Sequence, residues 1–312
     1  MPLPKTMRTL LQPSFEEPRL VLTQDYPVPT ATKGTDEHLI RVRCVSPCAN
    51  ELNWAEFDPR LQERALIPCY DVAGTVITAP PSSDFPPGAE VYARSNYLRP
   101  GCARDYSVIS GADLARSPQN LSWAESSAIP LSAQTALQAL FVQSGIGELG
   151  DAAWKGKRVL VTAASGGVGI WVVQLARLAG ATVTGTCGPR NVEFVKSLGA
   201  NEVINYRKRD LKEWGQRTEN QVDLVVDCIG KKSLEDAWWC VKDGGILISI
   251  SQPPEQVQPE EYLEEVTKLV EESKCRGVVD SVWPLEQFEE AFKRLDDGHA
   301  RGKIILDLSL NQ

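Results

Sequence analysis

The residues whose types and spacing are most specific form a glycine-rich turn, Ala163-Ala164-Ser165-Gly166-Gly167-Val168-Gly169. An apolar run over residues 158–162 precedes this glycine turn and is typical of a strand buried in a parallel sheet. Apolar residues at helical spacing follow it over residues 168–178. A strand, a glycine turn and a helix in this order are the context in which a dinucleotide-binding loop occurs. The segment therefore predicts binding of a dinucleotide through its diphosphate.

Individual positions of the glycine turn have physical roles in that prediction. Ala164 stands where the first glycine of the G-x-G-x-x-G pattern usually stands. Gly166 lets the backbone approach a diphosphate, and Gly169 lets the helix pack closely on the strand. The free N–H groups at the start of the helix, together with the positive end of its dipole, favour a bound phosphate. The alternative is a glycine turn in an α/β protein that binds no ligand.

The end of the second strand of this region discriminates between nicotinamide cofactors. Folds that bind NAD usually place an acidic residue there, which binds the 2′-hydroxyl of the ribose. Here the residues are Thr186-Cys187-Gly188-Pro189-Arg190-Asn191, without a carboxylate. The guanidinium of Arg190 could bind a 2′-phosphate, and Tyr206 with Arg207 could add a second contact. The sequence favours NADPH over NADH, with a solvated surface arginine as the alternative interpretation of Arg190.

The surrounding chain shows two patterns of elements. Up to about residue 130, short β-like runs alternate with Pro- and Gly-rich breaks, which indicates an irregular, mostly β domain. From about 131 to 282, strands alternate with helices, which predicts an α/β, doubly wound parallel sheet. A Pro-rich loop is predicted for residues 252–259. The predicted strands are 39–45, 72–77, 90–93, 106–109, 158–162, 182–186, 202–205, 222–227, 245–250 and 303–306, and the predicted helices are 168–178, 191–198 and 285–295.

Composition limits the class of protein. The 312 residues are 42% apolar and 24% charged, as in ordinary globular proteins, and a chain of this length forms one large or two smaller domains. The net charge of −8 disfavours nucleic acid and anionic membranes as partners. No run approaches the roughly 18 apolar residues of a membrane span, and no secretory signal is apparent. We therefore expect a cytoplasmic protein with a small-molecule substrate.

Cysteine and histidine counts bear on metal chemistry. The chain has eight cysteines but only two histidines, His38 and His299. Cys44 and Cys48 are the closest cysteines, and no second pair stands at the spacing of a zinc site. In the absence of a secretory signal, the thiols are expected to be reduced. The sequence therefore predicts no metal site.

Five segments together carry a family resemblance. They are Asn50-Glu51-Leu52-Asn53-Trp54, Asp71-Val72-Ala73-Gly74-Thr75-Val76, Pro130 to Ala136 with its Thr135-Ala136, Ala163 to Gly169, and Gly302-Lys303-Ile304-Ile305-Leu306. In order and spacing they resemble the zinc-independent, quinone oxidoreductase-like branch of the medium-chain dehydrogenase/reductase superfamily, whose relatives include zeta-crystallin and enoyl reductases. The resemblance covers nearly the whole chain, and the glycine turn is its most specific part.

The resemblance implies two domains. Residues 1–130, completed by 283–312, would form a mostly β, GroES-like catalytic domain, and residues 131–282 a Rossmann domain that binds NADPH. Zinc-dependent members carry a G-H-E segment that supplies metal ligands, and the matching residues here are Cys69-Tyr70-Asp71. A tyrosine thus stands in place of the ligand histidine, which agrees with the prediction of no metal.

The resemblance also implies an activity. A zinc-free member would transfer a hydride from NADPH to an α,β-unsaturated carbonyl or a quinone, because such acceptors need less activation than an alcohol. Asn50 would donate to the substrate oxygen, and Tyr70 would donate or orient a proton. A turn asparagine and a packed core tyrosine are the alternative interpretations. The full set of cofactor candidates is Thr135, Ala164, Ser165, Gly166, Gly167, Val168, Gly169, Thr186, Cys187, Arg190, Tyr206, Ser249 and Lys303.

Two departures from the family pattern bear on function. Asn53 and Ala55 stand where some relatives have an Asp and a Tyr, which weakens the transfer of a proton-relay role. The segment after Ile250 is shorter than in relatives, so we expect a monomer or an altered dimer. Alternatives to an NADPH-dependent quinone or enone reductase are a trans-acting enoyl reductase of a polyketide pathway, a non-catalytic NADPH-binding protein and a zinc-dependent alcohol dehydrogenase.

Overall fold

The computed structural model describes residues 3–251 and 262–310, so the predicted loop at 252–259 lies outside the described residues. By their contacts, the described residues divide into two units. The first unit holds residues 3–131, 262–272 and 279–310, and the second holds residues 132–251 and 273–278. The predicted domains differ from this division chiefly at residues 262–272, which group with the first unit.

The strands and helices have the following bounds. The strands are β1 (Thr6–Leu11), β2 (Val21–Pro27), β3 (Glu37–Ser46), β4 (Asp71–Thr78), β5 (Glu90–Arg94), β6 (Tyr106–Ser110), β7 (Leu114–Arg116), β8 (Arg158–Val161), β9 (Thr182–Cys187), β10 (Glu202–Asn205), β11 (Val222–Asp227), β12 (Val241–Ser249), β13 (Val279–Pro284) and β14 (Lys303–Asp307). The helices are α1 (Trp54–Phe57), α2 (Trp123–Ser127), α3 (Pro130–Leu137), α4 (Gly167–Ala179), α5 (Val192–Ser197), α6 (Leu211–Gly215), α7 (Lys231–Ala237), α8 (Leu263–Glu271) and α9 (Phe288–Asp296).

The second unit is built on a parallel sheet with the strand order β10-β9-β8-β11-β12. Val159, Leu160 and Val161 of β8 are fully buried, as a strand covered on both faces requires. Successive strands run outward from β8 in one direction through β9 and β10, and the order reverses at β11. The predicted doubly wound sheet is therefore confirmed, with its switch point between β8 and β11.

The first unit contains a mixed sheet with the order β13-β14-β3-β4-β5-β7, in which β6 also pairs with β3. Among the described residues, β13 and β14 are the one parallel pair of this sheet. The other strand pairs are antiparallel. Gly74 of β4 lies against β3, where a β-carbon would come within 2.3 Å of the Arg41 carbonyl oxygen. A side chain at this position would therefore overlap the neighbouring strand.

Helix α8 belongs to the first unit because its apolar side is buried there. Leu263 and Val266 are almost fully buried, and the Tyr92 hydroxyl of β5 donates to the Leu263 carbonyl oxygen at 3.1 Å. The same hydroxyl lies 2.8 Å from Thr267 Oγ1. An amphipathic helix packs on the unit that buries its apolar side. For α8 this is the first unit, although the residues on either side of it in the sequence belong largely to the second.

Candidate functional site

The glycine turn connects β8 to α4 at the carboxyl end of the parallel sheet. Ala163 adopts a left-handed backbone conformation (φ 46°), and α4 begins at Gly167 with Gly166 as its N-cap. A β-carbon on Gly169 would lie 2.3 Å from the Ala163 carbonyl oxygen, whereas one on Gly166 would lie 3.3 Å from it. The turn is therefore tightly packed at Gly169 and more open at Gly166. This backbone surface at a helix start fits a diphosphate group.

The end of β9 supports the glycine turn. The Ala164 N–H donates to the Thr186 carbonyl oxygen at 2.9 Å, and the Asn191 amide donates to Ser165 Oγ at 3.0 Å. Cys187 is buried at the last position of β9, and burial raises the pKa of its thiol to about 11. The thiol therefore keeps its proton at neutral pH. Several of the predicted cofactor candidates are thus joined in one hydrogen-bonded structure.

Basic and aromatic side chains lie at the ends of β9 and β10. Arg190 is exposed in a helical turn, Pro189–Asn191, directly after β9. Tyr206 is 47% exposed after β10, and its hydroxyl lies 3.0 Å from where a β-carbon on Gly188 would be. The Arg207 guanidinium lies 5.7 Å from the centre of the Tyr206 ring. Two arginines therefore occur on neighbouring strand ends, in segments where the cofactor-selecting residue is expected.

Two further cofactor candidates lie elsewhere in the second unit's chain. Thr135 is half-buried in α3. Ser249 ends β12, where its hydroxyl donates to the Asp227 carboxylate at 3.0 Å. Contact of Thr135 or Ser249 with a cofactor stays a prediction.

Lys303 is buried in the first unit at the start of β14. Its ammonium lies 3.0 Å from Asp71 Oδ2, donates to the Pro47 carbonyl oxygen at 2.9 Å and lies 3.7 Å from Cys48 Sγ. Asp71 Oδ1 accepts the Leu131 N–H at 2.6 Å. Burial lowers the pKa of Lys303, but Cys48 and Asp71 raise it by more, so the ammonium stays charged. The observed contacts form a buried ion pair, and contact of Lys303 with a cofactor stays a prediction.

The two predicted catalytic residues have different settings in the first unit. Asn50 is exposed and left-handed (φ 60°), a conformation that asparagine tolerates well. Tyr70 is only 4% exposed, and its ring stacks on Trp54 with 5.2 Å between centroids. The Tyr70 hydroxyl accepts a hydrogen bond from Arg64 at 2.6 Å, and burial raises its pKa, so it keeps its proton. Catalytic roles for Asn50 and Tyr70 stay predictions.

Glu51 links the segments that contain these two residues. Its Oε2 accepts the Cys48 N–H at 3.2 Å, and its Oε1 accepts the Cys69 N–H at 3.0 Å. Cys69 is left-handed (φ 67°), as is Asn50, so this carboxylate stabilises the backbone at or near two left-handed positions. Burial raises the pKa of Glu51 to about 7. Sequence reasoning missed Glu51, although a carboxylate directly after Asn50 is the visible signal.

We expect Glu51 to make the stability of the protein depend on pH. Its pKa rises from 4.5 to about 7 on folding, so its favourable contribution is complete below pH 4.5 and is lost as pH rises through 7. The free energy of unfolding of the wild type should therefore fall relative to that of Glu51→Gln by about 3 kcal/mol between pH 4 and pH 8. Urea unfolding of both proteins across this range measures the difference.

Glu56→Gln is the matched control, because Glu56 is exposed on the neighbouring helix α1. Removal of this exposed carboxylate should change the free energy of unfolding by less than about 0.5 kcal/mol. A constant difference between the wild type and Glu51→Gln would contradict the expected titration of Glu51.

The residues that the structure describes contain neither a cluster of metal ligands nor a helix that could span a membrane. Within residues 3–251 and 262–310, no group of three or more His, Cys, Asp or Glu side chains could hold a metal ion. The helices among these residues are all too short or too polar to cross a membrane. Zinc independence stays a prediction.

Known proteins resemble this chain in sequence and in structure. A family model described as zinc-binding dehydrogenase matches residues 167–297. A probable zinc-binding oxidoreductase, mitochondrial, of Arthroderma benhamiae is 47% identical, and the alignment covers 97% of each chain. A chloroplast envelope quinone oxidoreductase homolog of Arabidopsis thaliana is 35% identical over 90% of this chain and 92% of its own. An NAD-dependent alcohol dehydrogenase structure superposes with a TM-score of 0.82 at 27% identity, covering 97% of this chain and 100% of that one.

The doubly wound sheet, the glycine turn and these relatives together define an oxidoreductase. The chain belongs to the medium-chain dehydrogenase/reductase superfamily, in its quinone oxidoreductase-like group, as the resemblance predicted. The fold class, a Rossmann unit with a GroES-like unit, is confirmed with it. The two sequence relatives are named as mitochondrial and chloroplast proteins, and the cytoplasmic location expected here stays a prediction.

Proposed function

We propose that this oxidoreductase uses NADPH, without a metal ion, to reduce an α,β-unsaturated carbonyl or a quinone. The observation that carries the choice of cofactor is the surface formed at the ends of β9 and β10. Arg190 follows β9, Arg207 follows β10 with its guanidinium 5.7 Å from the centre of the Tyr206 ring, and residues 186–191 contain no carboxylate. A carboxylate would favour a free ribose hydroxyl, whereas guanidinium groups favour a phosphate.

The glycine turn and the name of the NAD-dependent structural neighbour both support a nicotinamide cofactor. When bound, NADPH supplies the hydride. Negative charge then develops on the substrate oxygen, and the Asn50 amide is placed on an exposed turn where it can donate to such an oxygen. Tyr70 keeps its proton and is oriented by Arg64, so it can donate that proton to the reduced substrate.

Replacing Arg190 tests whether the protein prefers NADPH to NADH. We expect Arg190→Gln to weaken NADPH binding by about ten- to a hundredfold, because a charge-assisted contact with a phosphate is lost. NADH binding, which involves no 2′-phosphate, should change by less than about twofold. Fluorescence titration of both nucleotides measures the two affinities. Arg217→Gln is the control, because Arg217 is exposed in the same unit after α6. An equal loss of NADPH and NADH affinity in Arg190→Gln would contradict the assignment.

Turnover is measured by the loss of NADPH absorbance with a panel of small enones and quinones. Oxidation of NADPH by at least one acceptor, in protein that elemental analysis shows to be free of zinc, is the expected result. Tight NADPH binding without turnover on any acceptor would instead indicate a binding protein. Activity that appears only with bound zinc would overturn the proposed metal-free reaction.

A further inference from the structure

A buried carboxylate joins the two halves of the parallel sheet at its switch point. Thr162 directly follows β8, and Asp227 is the last residue of β11, the neighbouring strand across the reversal of strand order. The Thr162 hydroxyl donates to Asp227 Oδ1 at 2.8 Å, and both side chains are fully buried. The same hydroxyl accepts the Cys228 N–H at 2.8 Å. One threonine side chain therefore connects β8 to the loop that follows β11.

Asp227 makes further contacts on the second half of the sheet. Its Oδ2 accepts the Gly230 N–H at 2.7 Å and the Ser249 hydroxyl at 3.0 Å. Its Oδ1 also accepts the Ser233 hydroxyl of α7, at 3.3 Å. This Asp227 network (Thr162, Asp227, Cys228, Gly230, Ser233 and Ser249) thus fixes the ends of β8, β11 and β12 and the start of α7 relative to one another.

The backbone on both sides of the network is strained. Ala163, next to Thr162, is left-handed at φ 46°, and Gly230 and Lys231 have φ values of 78° and 50°. A β-carbon on Gly230 would lie 2.5 Å from Ser251 Oγ. Non-glycine residues hold such conformations only where the surrounding structure over-determines them. The hydrogen bonds of Asp227 provide that constraint, since they begin one residue from Ala163 and end on Gly230 itself.

We infer that Thr162 and Asp227 are positioning residues for the nicotinamide half of the cofactor, an inference that rests on the proposed NADPH function. In a doubly wound fold each half of the sheet binds one mononucleotide, and the dinucleotide crosses at the switch point. The half of the sheet from β8 to β10 carries Arg190 and Arg207 at the ends of β9 and β10 and so takes the adenosine half. The loop at 228–231 and the end of β12 take the nicotinamide half. Because Asp227 is fully buried, it acts through the backbone that it holds.

One substitution should weaken binding of the nicotinamide half of the ligand and leave binding of the adenosine half unchanged. Thr162→Val keeps the size of the side chain but removes the hydroxyl that joins β8 to Asp227 and Cys228. NADPH binding should weaken about tenfold, because the buried Asp227 carboxylate and the N–H of half-buried Cys228 each lose a partner. Binding of adenosine 2′,5′-bisphosphate, which represents only the adenosine half, should change by less than about twofold.

Two variants serve as controls. Thr184→Val makes the same change at a buried threonine within β9, and it should leave both affinities unchanged. Thr162→Ser restores the hydroxyl and should recover most of the NADPH affinity. If Thr162→Val acted only by disturbing the local structure, the binding of NADPH and of the bisphosphate would weaken together. Thr162→Ser would then not restore NADPH binding selectively. Ser249→Ala removes a half-buried partner of Asp227 and gives a second measurement if Thr162→Val does not fold. It should weaken NADPH, but not the bisphosphate, by a smaller factor.

The wild type separates failure of this inference from failure of the proposed function. If wild-type protein binds neither NADPH nor NADH, the proposed function fails first. If the wild type binds NADPH and Thr162→Val binds it equally well, the positioning role is wrong. Parallel loss of NADPH and bisphosphate affinity in both Thr162→Val and Ser249→Ala would also overturn it.

Discussion

Gly169→Ala is expected to weaken binding of the dinucleotide severely. The added β-carbon would lie 2.3 Å from the Ala163 carbonyl oxygen and 2.8 Å from the Ala164 α-carbon. Both neighbours are backbone atoms, so the strand end and α4 must move apart to relieve the overlap. Overpacking of this kind costs about 1–3 kcal/mol or more. We expect at least a hundredfold weaker binding of NADPH, measured by fluorescence titration, together with lower stability in urea.

Gly166→Ala is the matched comparison, since its β-carbon would lie 3.3 Å from the Ala163 oxygen and its φ of −83° suits any residue. We expect this variant to keep its stability within about 1 kcal/mol, because little overlap must be relieved. It should nevertheless bind NADPH more weakly, since the methyl group occupies the open side of the turn. Wild-type affinity in Gly169→Ala, or equal destabilisation in the two variants, would contradict this account of the glycine turn.

Lys303→Met is expected to destabilise the protein by about 3–5 kcal/mol, because it leaves the fully buried Asp71 carboxylate without its cation. Methionine retains most of the length of the lysine side chain, so lost packing contributes little. Urea unfolding at neutral pH measures the change. The double variant Lys303→Met with Asp71→Asn should recover a large part of the loss, since no unpaired charge then remains.

Lys196→Met is the control for this prediction. Lys196 also forms an ion pair, with Glu193 at 2.9 Å, but both side chains are at least half exposed. Its removal should cost less than about 1 kcal/mol. If Lys303→Met costs no more than Lys196→Met, the buried pair does not have the role assigned to it here.

The elements whose formation depends on residues close together in the sequence could be predicted. β8 and α4 follow from an apolar run and a helical period on either side of the glycine turn, and their observed bounds agree with the prediction to within about one residue. β1, β2, β7 and β13 were not predicted. Among the named strands of the described residues, β1 and β2 pair only with each other, and β7 is three residues long. Such strands carry weak alternation, because pairing rather than local pattern defines them.

The candidate site was predicted only in part for a similar reason. Thr186 accepts a hydrogen bond from Ala164 and Ser165 accepts one from Asn191, since the glycine turn and the end of β9 occupy adjacent strand ends. The roles of Glu51 and Asp227 were missed. Glu51 binds a backbone group 18 residues away, and Asp227 binds Thr162 at a separation of 65 residues. No local periodicity reports such contacts, because tertiary structure alone brings the partners together.

The place of β14 in the chain has a consequence for folding during synthesis. β14 lies between β13 and β3 in its sheet and supplies the lysine that neutralises Asp71. A nascent chain that has left the ribosome only as far as residue 131 therefore holds β3 paired with β4 and β6 but without β14, and the Asp71 carboxylate without its counter-ion. β8 to β12, by contrast, emerge one after another before residue 250. The middle of the polypeptide can thus reach its native arrangement first, while the part translated earliest must wait for the last strand.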